Sequence, residues 1–338
     1  MKSIFNYPKN KLEQILLDNN LKKFVASQVY DWIYQKQEYN FDNFYNVSNQ
    51  AKEFLKTNFN TAMITIEKVE EDDLVKKFLF RLNDGQKIEA VLMYHDYGKS
   101  ICVSSQVGCN MGCRFCESGR LKKVRNLEVY EMVEQIILIS NYIHSRIDSV
   151  VVMGIGEPFD NYENVMDFIK VINDPKALAI GARHITVSTC GLVPKIYDFA
   201  QEQMQVNLAI SLHAPNDEIR QKIMPIANAY NIRELIQAIK DYIEVTNRRV
   251  TIEYVLLNGI NDSEECAIEL SELLKNLNVY VNLINYNETN NLDFKSSSKN
   301  TLDTFFDILK AHGIDVTVRR KFGNKISAAC GQLRSKEI

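Results

Sequence analysis

The chain of 338 residues has no apolar run approaching the roughly 20 residues that a membrane-crossing helix needs. Its opening stretch, MKSIFNYPKNKLEQILLDNN, is broken by charge too early to serve as a secretory signal. A cytoplasmic protein without a membrane partner is therefore expected. Charge of one sign is also lacking: the net charge is −3, which by itself gives no reason to expect a nucleic-acid partner. No long linker and no low-complexity segment divides the chain. Cysteine is scarce at seven residues, and the expected compartment is reducing. Clustered cysteines there point to metal ligation or catalysis before structural disulfides.

Periodicity separates three regions. Residues 1–60 read as a helical piece, because KLEQILLDNN and FVASQVYDWIYQKQ place apolar residues three and four apart. Residues 61–99 read as a small β extension: MITIEKVE, VKKFLFRL and QKIEAVLMY alternate like strands, with Asn83-Asp84-Gly85 as a hairpin turn. Residues 100–338 carry SICVSSQV, DSVVVMG, RHITVST, VNLAISLH, RVTIEYVLL and VYVNLIN, separated by helical stretches such as NLEVYEMVEQIILISNYI and DSEECAIELSELLKNL. Six βα repeats imply an α/β fold with a parallel sheet and helical crossovers. The region is short for a full eight-fold barrel, which takes about 250 residues. A partial, open (βα)6 barrel is expected, with a flat doubly wound sheet as the competitor. FKSSSKN (294–300) is expected to be a mobile loop.

CNMGCRFC places Cys109, Cys113 and Cys116 in a C-x3-C-x2-C pattern. Three thiols in eight residues are not core packing. Structural zinc normally takes four ligands, and a second cysteine pair is missing. A ferredoxin-type cluster also takes four thiolates. Three suit a four-iron cluster with one iron left open to a reactant. Further polar groups end the successive strands: Gly156 and Glu157 in MGIGEP, Ser188 in VSTCG, Ser211 and His213 in ISLHAPND, and Asn287. Parallel strands present functional residues at this carboxyl edge.

The cysteine pattern after a first strand resembles the radical S-adenosylmethionine superfamily. CVSSQVGCNMGCRFC, MGIGEP, SLHAPNDEIR, VTIEYVLL, AACGQL and the early ASQVYDWIY together resemble its RlmN/Cfr methyltransferases over nearly the whole chain. The resemblance implies one 4Fe-4S cluster on Cys109, Cys113 and Cys116. It implies S-adenosylmethionine held by Gly156, Glu157, Ser188, Ser211, Leu212, His213 and Asn287. It implies methylation of an adenine carbon in 23S rRNA, and in some members also of an anticodon-loop adenosine in tRNA. Such a carbon has no lone pair with which to attack a sulfonium methyl, so the family first methylates a cysteine and then activates that methyl by a radical. Cys330 matches the methyl-carrying cysteine. Cys102 matches the second cysteine, which releases product by forming a transient disulfide. Glu89, which from the sequence pattern alone would be a surface residue of the hairpin, matches the glutamate that takes the ring proton. A flavodoxin-type electron donor and a monomeric state are expected on the same basis.

Resemblance to RlmN implies carbon 2 of adenine, with Cfr-type carbon 8 methylation and antibiotic resistance as the alternative. A non-methylating radical enzyme and an iron–sulfur electron carrier are remoter alternatives. Three positions depart from the family pattern: Glu117, Lys325 and Glu288. An acidic Glu117 beside an anionic cluster lowers its reduction potential unless it points to solvent. Cys190 and Cys266 match no role and are expected to be packing residues. Two basic runs, Arg114 to Arg125 and Arg319 onward, flank reactive elements and are candidates for phosphate contact. Trp32 is expected either to contact RNA or to fill a small core.

Overall fold

The computed structural model describes residues 1–319, 326, 328, 329 and 331–333. Ten strands form one sheet: β1 (Thr65–Asp72), β2 (Val75–Arg81), β3 (Lys87–His95), β4 (Gly98–Cys102), β5 (Ser149–Val152), β6 (Ile185–Thr189), β7 (Asn207–Ser211), β8 (Val250–Leu256), β9 (Val279–Asn285) and β10 (Val316–Val318). Their order in space is their order in sequence, from β1 at one end to β10 at the other. β1 to β4 run antiparallel and β4 to β10 run parallel. Cys102 therefore sits at the junction, paired with Val91 on one side and Val151 on the other. The sheet is a continuous open array, as an incomplete barrel requires.

The parallel part has seven strands, one more than the sequence pattern predicts. β10 escaped because it is three residues long and lies at the sheet edge, where an exposed Thr317 and Val318 leave little apolar signal. Asn83-Asp84-Gly85 does turn β2 into β3: Gly85 has φ +84° and donates to the Leu82 carbonyl at 2.9 Å. The FKSSSKN stretch is a loop but is pinned. Ser297 is buried and donates to Asp262 Oδ2 at 2.6 Å, Ser296 bridges Leu257, and Ser298 caps the following helix.

Helices fill the connections: α4 (Val129–Tyr142), α5 (Tyr162–Asn173), α6 (Val193–Ala200), α7 (Asp217–Ile223), α8 (Ile232–Thr246), α9 (Glu264–Leu274) and α10 (Lys299–Ala311). They follow α1 (Lys9–Asp18), α2 (Phe24–Tyr30) and α3 (Asn49–Asn58) of the N-terminal piece. α8 begins with a capping box, in which Asn231 and Glu234 satisfy each other's backbone N–H groups, and ends on Asn247 at φ +52°. Its apolar face, Leu235, Ile236 and Ile239, enters the main core. Among the described residues no helix is long and apolar enough to cross a membrane.

The N-terminal helices share the same core. Trp32 is 9% exposed, stacks on Phe44 at 5.3 Å and donates from Nε1 to Asn46 Oδ1, so it fills the core. The piece is tied to the rest by an ion pair between Lys11 and Asp167 and by Asn6 donating to Glu128 Oε2 at 2.6 Å.

Candidate active site

One cavity is lined by residues from the end of every parallel strand: Cys102 of β4, Val152 and Met153 at β5, Ser188 of β6, Ser211 and His213 at β7, Glu253 and Val255 of β8, Ile284 and Asn285 of β9, and Arg319 after β10. Seven strands can touch one cavity only if the sheet curls around it. Val91 and Met93 of β3 close one side, and Ala328, Ala329, Gly331 and Leu333 lie on the wall as well. Cys109, Cys113, Cys116, Gly156, Glu157 and Asn287 also line it. The structure thus brings together ten of the thirteen residues singled out from sequence: Cys102, Cys109, Cys113, Cys116, Gly156, Glu157, Ser188, Ser211, His213 and Asn287. Leu212 is buried beside them but does not line the cavity, and its carbonyl serves another purpose described below. Glu89 lies off the cavity wall, and Cys330 lies outside the described residues.

The cysteine loop is shaped by its glycines and held by polar straps. Gly108 has φ +76°, and a Cβ there would come within 2.2 Å of the Lys122 carbonyl, so no larger residue fits. The cysteines themselves are compact. Cys116 N–H donates to the Cys113 carbonyl at 3.2 Å, and Cys109 N–H donates to Leu121 at 3.0 Å. Burial pushes the Cys109 thiol up to about 12, with nearby Cys116 adding to the shift. Burial, then the neighbouring Cys116 and Cys109, also push the Cys113 thiol well above its ordinary value. Unoccupied, such thiols stay protonated; bound iron supplies the positive charge that makes them thiolates.

Do the residues fit a cluster? Among the described residues, no three His, Cys, Asp or Glu side chains are grouped to hold a single metal ion. A four-iron cluster places each thiolate on a different iron, and three cysteines of one loop that line one cavity suit it. Asn285 adds a buried Oδ1 on the wall without a hydrogen-bond partner, the kind of atom that a polar ligand satisfies. The donor set fits.

The Ser104–Gln106 stretch, which carried no site assignment from sequence, locks the MGIGEP loop in place. Ser104 Oγ donates to the Glu89 carbonyl at 2.6 Å and accepts from Ile155 N–H at 2.9 Å. Gln106 Oε1 accepts from Glu157 N–H at 2.9 Å. Gly156 has φ +111°, and a Cβ there would lie 2.6 Å from the Gln106 Cβ. The Glu157 carboxylate, buried and therefore pushed above its ordinary pKa, accepts from Phe159 N–H at 3.0 Å and Cys190 N–H at 2.8 Å.

His213 adopts φ +57° and its Nδ1 accepts from Val255 N–H at 3.0 Å, which leaves the ring proton on Nε2. Burial, then the nearby Arg220 charge, lowers its pKa to about 3, so the ring is neutral at physiological pH. Glu253 was missed by sequence reasoning. It lies mid-strand in β8, where a glutamate in an apolar run reads as an outward residue, yet it is buried on the cavity wall. Asn282 donates to it at 3.0 Å, and Arg319 Nη1 lies 4.0 Å away. Burial raises its pKa, opposed by Arg319 and Asn282.

Several expectations need correction. Cys266 packs in the main core as expected, but Cys190 also lines the cavity, with burial and Glu157 pushing its thiol up. Glu89 is no surface residue: it is 1% exposed and its Oε1 lies 3.3 Å from Lys77 Nζ. It shares a face of β3 with Val91 and Met93 by strand alternation. Glu117 does not point to solvent. It is 1% exposed, 3.2 Å from Arg120, and its backbone N–H donates to the Gly331 carbonyl. Its charge is balanced locally, which weakens the expected effect on a cluster. Glu288 is exposed and turned toward Ser296 and Lys295, and its carbonyl accepts from Gln332. Lys325 lies outside the described residues.

The first basic run is less available than its composition suggests. Lys123 pairs with Asp160 at 2.8 Å, Arg120 with Glu117, and Arg125 with both Glu131 and Asp84 at 2.7 Å. Arg114 and Lys122 are exposed and form no ion pair among the described residues. Of the second run only Arg319 is described, and it faces Glu253.

Two family models match the chain: the radical SAM superfamily over residues 103–271 and the ribosomal RNA large subunit methyltransferase N-terminal domain over residues 2–60. A probable dual-specificity RNA methyltransferase RlmN of Spiroplasma citri is 51% identical over 99% of this chain and 98% of its own length. This chain belongs to the RlmN methyltransferases of the radical SAM superfamily. An RlmN of the same description from Acholeplasma laidlawii is 50% identical over 99% of both chains. The crystal structure of a radical SAM methyltransferase from Sphaerobacter thermophilus superimposes with a TM-score of 0.92 at 40% identity, covering 99% of this chain and all of that one. Membership in the superfamily implies a 4Fe-4S cluster and S-adenosylmethionine, in keeping with the donor set above. The open parallel array agrees with that fold.

Proposed function

We propose that this RlmN-family enzyme methylates carbon 2 of an adenosine in 23S rRNA, and of an anticodon-loop adenosine in tRNA, at the cavity inside the curled sheet. The observation that carries the reading is the convergence on one wall of the three cysteines, the Gly156–Glu157 turn and the strand-end groups Ser188, Ser211, His213 and Asn287. The relatives named above carry the RlmN description, which favours carbon 2 over the Cfr-type carbon 8.

Cys109, Cys113 and Cys116 would hold three irons and leave the fourth open. A bound cluster would supply the one electron that cleaves a carbon–sulfur bond of S-adenosylmethionine. The Gly156–Glu157 turn receives the ammonium end of that molecule, next to a carboxylate already fixed by two backbone donors. Ser188, Ser211, neutral His213 and Asn287 offer hydrogen bonds without net charge. Ile284, Val255 and Met153 exclude water from the radical.

Cys330 is the proposed methyl carrier; its neighbours Ala329 and Gly331 on the cavity wall support that reading. Cys102, at the end of β4 and packed against the apolar group that includes Ala328 and Leu333, is the thiol that attacks the Cys330 sulfur, forming a disulfide as the bond from that sulfur to the RNA-bound carbon breaks. Glu89 takes the ring proton from its place on β3, with Lys77 balancing its charge. The target adenine leaves its stack to enter. A flavodoxin-type protein is the proposed electron donor.

The test is anaerobic reconstitution with iron, sulfide, S-adenosylmethionine, a reductant and unmodified rRNA or tRNA fragments, followed by nucleoside mass spectrometry. 2-Methyladenosine supports the reading. 8-Methyladenosine replaces it with the Cfr-type activity, and cleavage of S-adenosylmethionine without any methyladenosine refutes the substrate.

A further inference from the structure

Arg220, four residues into the helix after the SLHAPND turn, has a fully buried side chain. Its Nε donates to the Leu212 carbonyl at 3.2 Å and its Nη2 to the Cys190 carbonyl at 2.7 Å. Its Nη1 is buried without a partner. Among the described residues it forms no ion pair, and Asp217 one turn earlier spends Oδ1 on the Ile232 N–H instead. A guanidinium removed from water with no counter-charge costs several kcal/mol. Among the described residues no carboxylate is bonded to this guanidinium, and its free Nη1 is available to a nearby negative charge.

The geometry says where that anion belongs. Helix α7, which carries Arg220, is bonded at its last residue to the cysteine loop: Arg114 N–H donates to the Ile223 carbonyl at 2.9 Å. The two carbonyls that Arg220 grips belong to the strand-end loops of β6 and β7, both on the cavity. Cys113 packs against the apolar group that includes Cys190, whose carbonyl Arg220 holds, and Ile223 at the end of its helix. Three thiolates outweigh the positive charge of a four-iron core, and reduction adds a further electron to the same place.

We propose that Arg220 is the counter-charge of the iron–sulfur cluster, fixed beside the cysteine loop so that it favours the reduced state and raises the cluster's reduction potential. The proposal rests on the cluster reading above. Arg220 touches neither substrate nor reacting atoms in this role; it is a positioning residue acting through the cluster. A purely structural role, tying the Leu212 and Cys190 loops together, is the competing account.

Redox titration of the reconstituted holoenzyme, followed by electron paramagnetic resonance, separates the two. In R220M the ratio of reduced to oxidised cluster at a fixed potential falls about tenfold, equivalent to about 59 mV for a one-electron couple. R220K keeps the charge but loses the two-pronged grip, and it recovers most of the wild-type potential. An unchanged potential in R220M overturns the proposal, as does an R220K potential as low as that of R220M. If R220M holds no cluster, R220K decides alone: a near-wild-type potential supports counter-charge, and a fall sinks it. A wild-type protein that takes up no iron overturns the cluster reading itself and this proposal with it.

Discussion

Cys190 donates its backbone N–H to Glu157 Oε2 at 2.8 Å, joining the loop after β5 to the residue that follows the neighbouring β6. The other carboxylate oxygen accepts from Phe159 N–H at 3.0 Å, so Glu157 holds its own loop as well. Both contacts are buried, and an orphaned buried donor costs about 1–3 kcal/mol. Glu157→Ala is therefore expected to destabilise the fold by roughly 2–4 kcal/mol. It should also weaken S-adenosylmethionine binding by at least about tenfold, a loss of about 1.4 kcal/mol. Denaturant unfolding and equilibrium dialysis measure the two effects. Wild-type affinity in a destabilised variant would leave Glu157 a purely structural residue.

The cysteine trio makes a simpler demand. Replacing any one of Cys109, Cys113 or Cys116 by Ala removes a ligand that no other described thiol is placed in the loop to replace. Iron content and the visible absorption of the reconstituted protein are expected to collapse in each variant. Cys266→Ala, in the core far along the chain in α9, should leave both unchanged. Cys190→Ala is the informative comparison, since Cys190 shares the cavity wall. Full cluster content in this variant would confine ligation to the loop.

Glu134 predicts a pH dependence. It lies in α4, where Oε2 accepts from Ile64 N–H at 2.8 Å and Oε1 has no partner. Burial raises its pKa to about 8. Between the ordinary value and about 8 the folded chain binds more proton than the unfolded one, so stability falls as pH rises through that window and then levels off. The slope from this group approaches about 1.4 kcal/mol per pH unit. His213 acts in the opposite sense and at lower pH. Its depressed pKa costs stability as pH falls below the ordinary histidine value. The difference between wild type and Glu134→Gln, measured by unfolding from pH 5 to 9, isolates the carboxyl. Parallel curves for the two proteins would refute the assignment.

Glu89 and Lys77 form a buried pair, with Lys77 also 2.6 Å from Glu70. Glu89→Gln keeps the shape of the site, so S-adenosylmethionine cleavage should continue while a covalent protein–RNA adduct accumulates. A shifted band on denaturing gels reports the adduct. Turnover at the wild-type rate would take Glu89 out of the chemistry.

The contrast between Glu157 and Glu253 shows what sequence can convey. Glu157 was legible because it ends a strand in a glycine-bearing turn, and parallel strands aim such ends at a common edge. Ser188, Ser211 and Asn287 were legible for the same reason, and the cysteine loop by its C-x3-C-x2-C spacing. Glu253 was not, because its role depends on the sheet curling until mid-strand side chains face a cavity, and curvature leaves no mark on local pattern. Arg220 looks like any charged residue in a short polar helix; only packing shows it buried. β10 was too short to register. Glu89 looked exposed because β3 alternates weakly: both of its faces are covered over 88–93. The basic run at 114–125 was visible, but its carboxylate partners lie up to 41 residues away in sequence.

That run yields a sharper expectation about RNA. Arg125 chelates Glu131 through two nitrogens and reaches Asp84 with the third, so it braces the entry to α4. Its charge is spent, and Glu131 is only 1% exposed. Arg125→Ala strands that carboxylate and should destabilise the protein by about 3–5 kcal/mol, the penalty for breaking a buried pair from one side. Arg114 and Lys122 are exposed and form no ion pair among the described residues, so the double variant R114A/K122A should fold normally. If both contact phosphates of the RNA substrate, its plot of log affinity against log salt becomes shallower by roughly 1.4–1.8, the counterions released by two contacts. Filter binding across a salt series reads that slope, and an unchanged slope would place the RNA on another face of the cavity mouth.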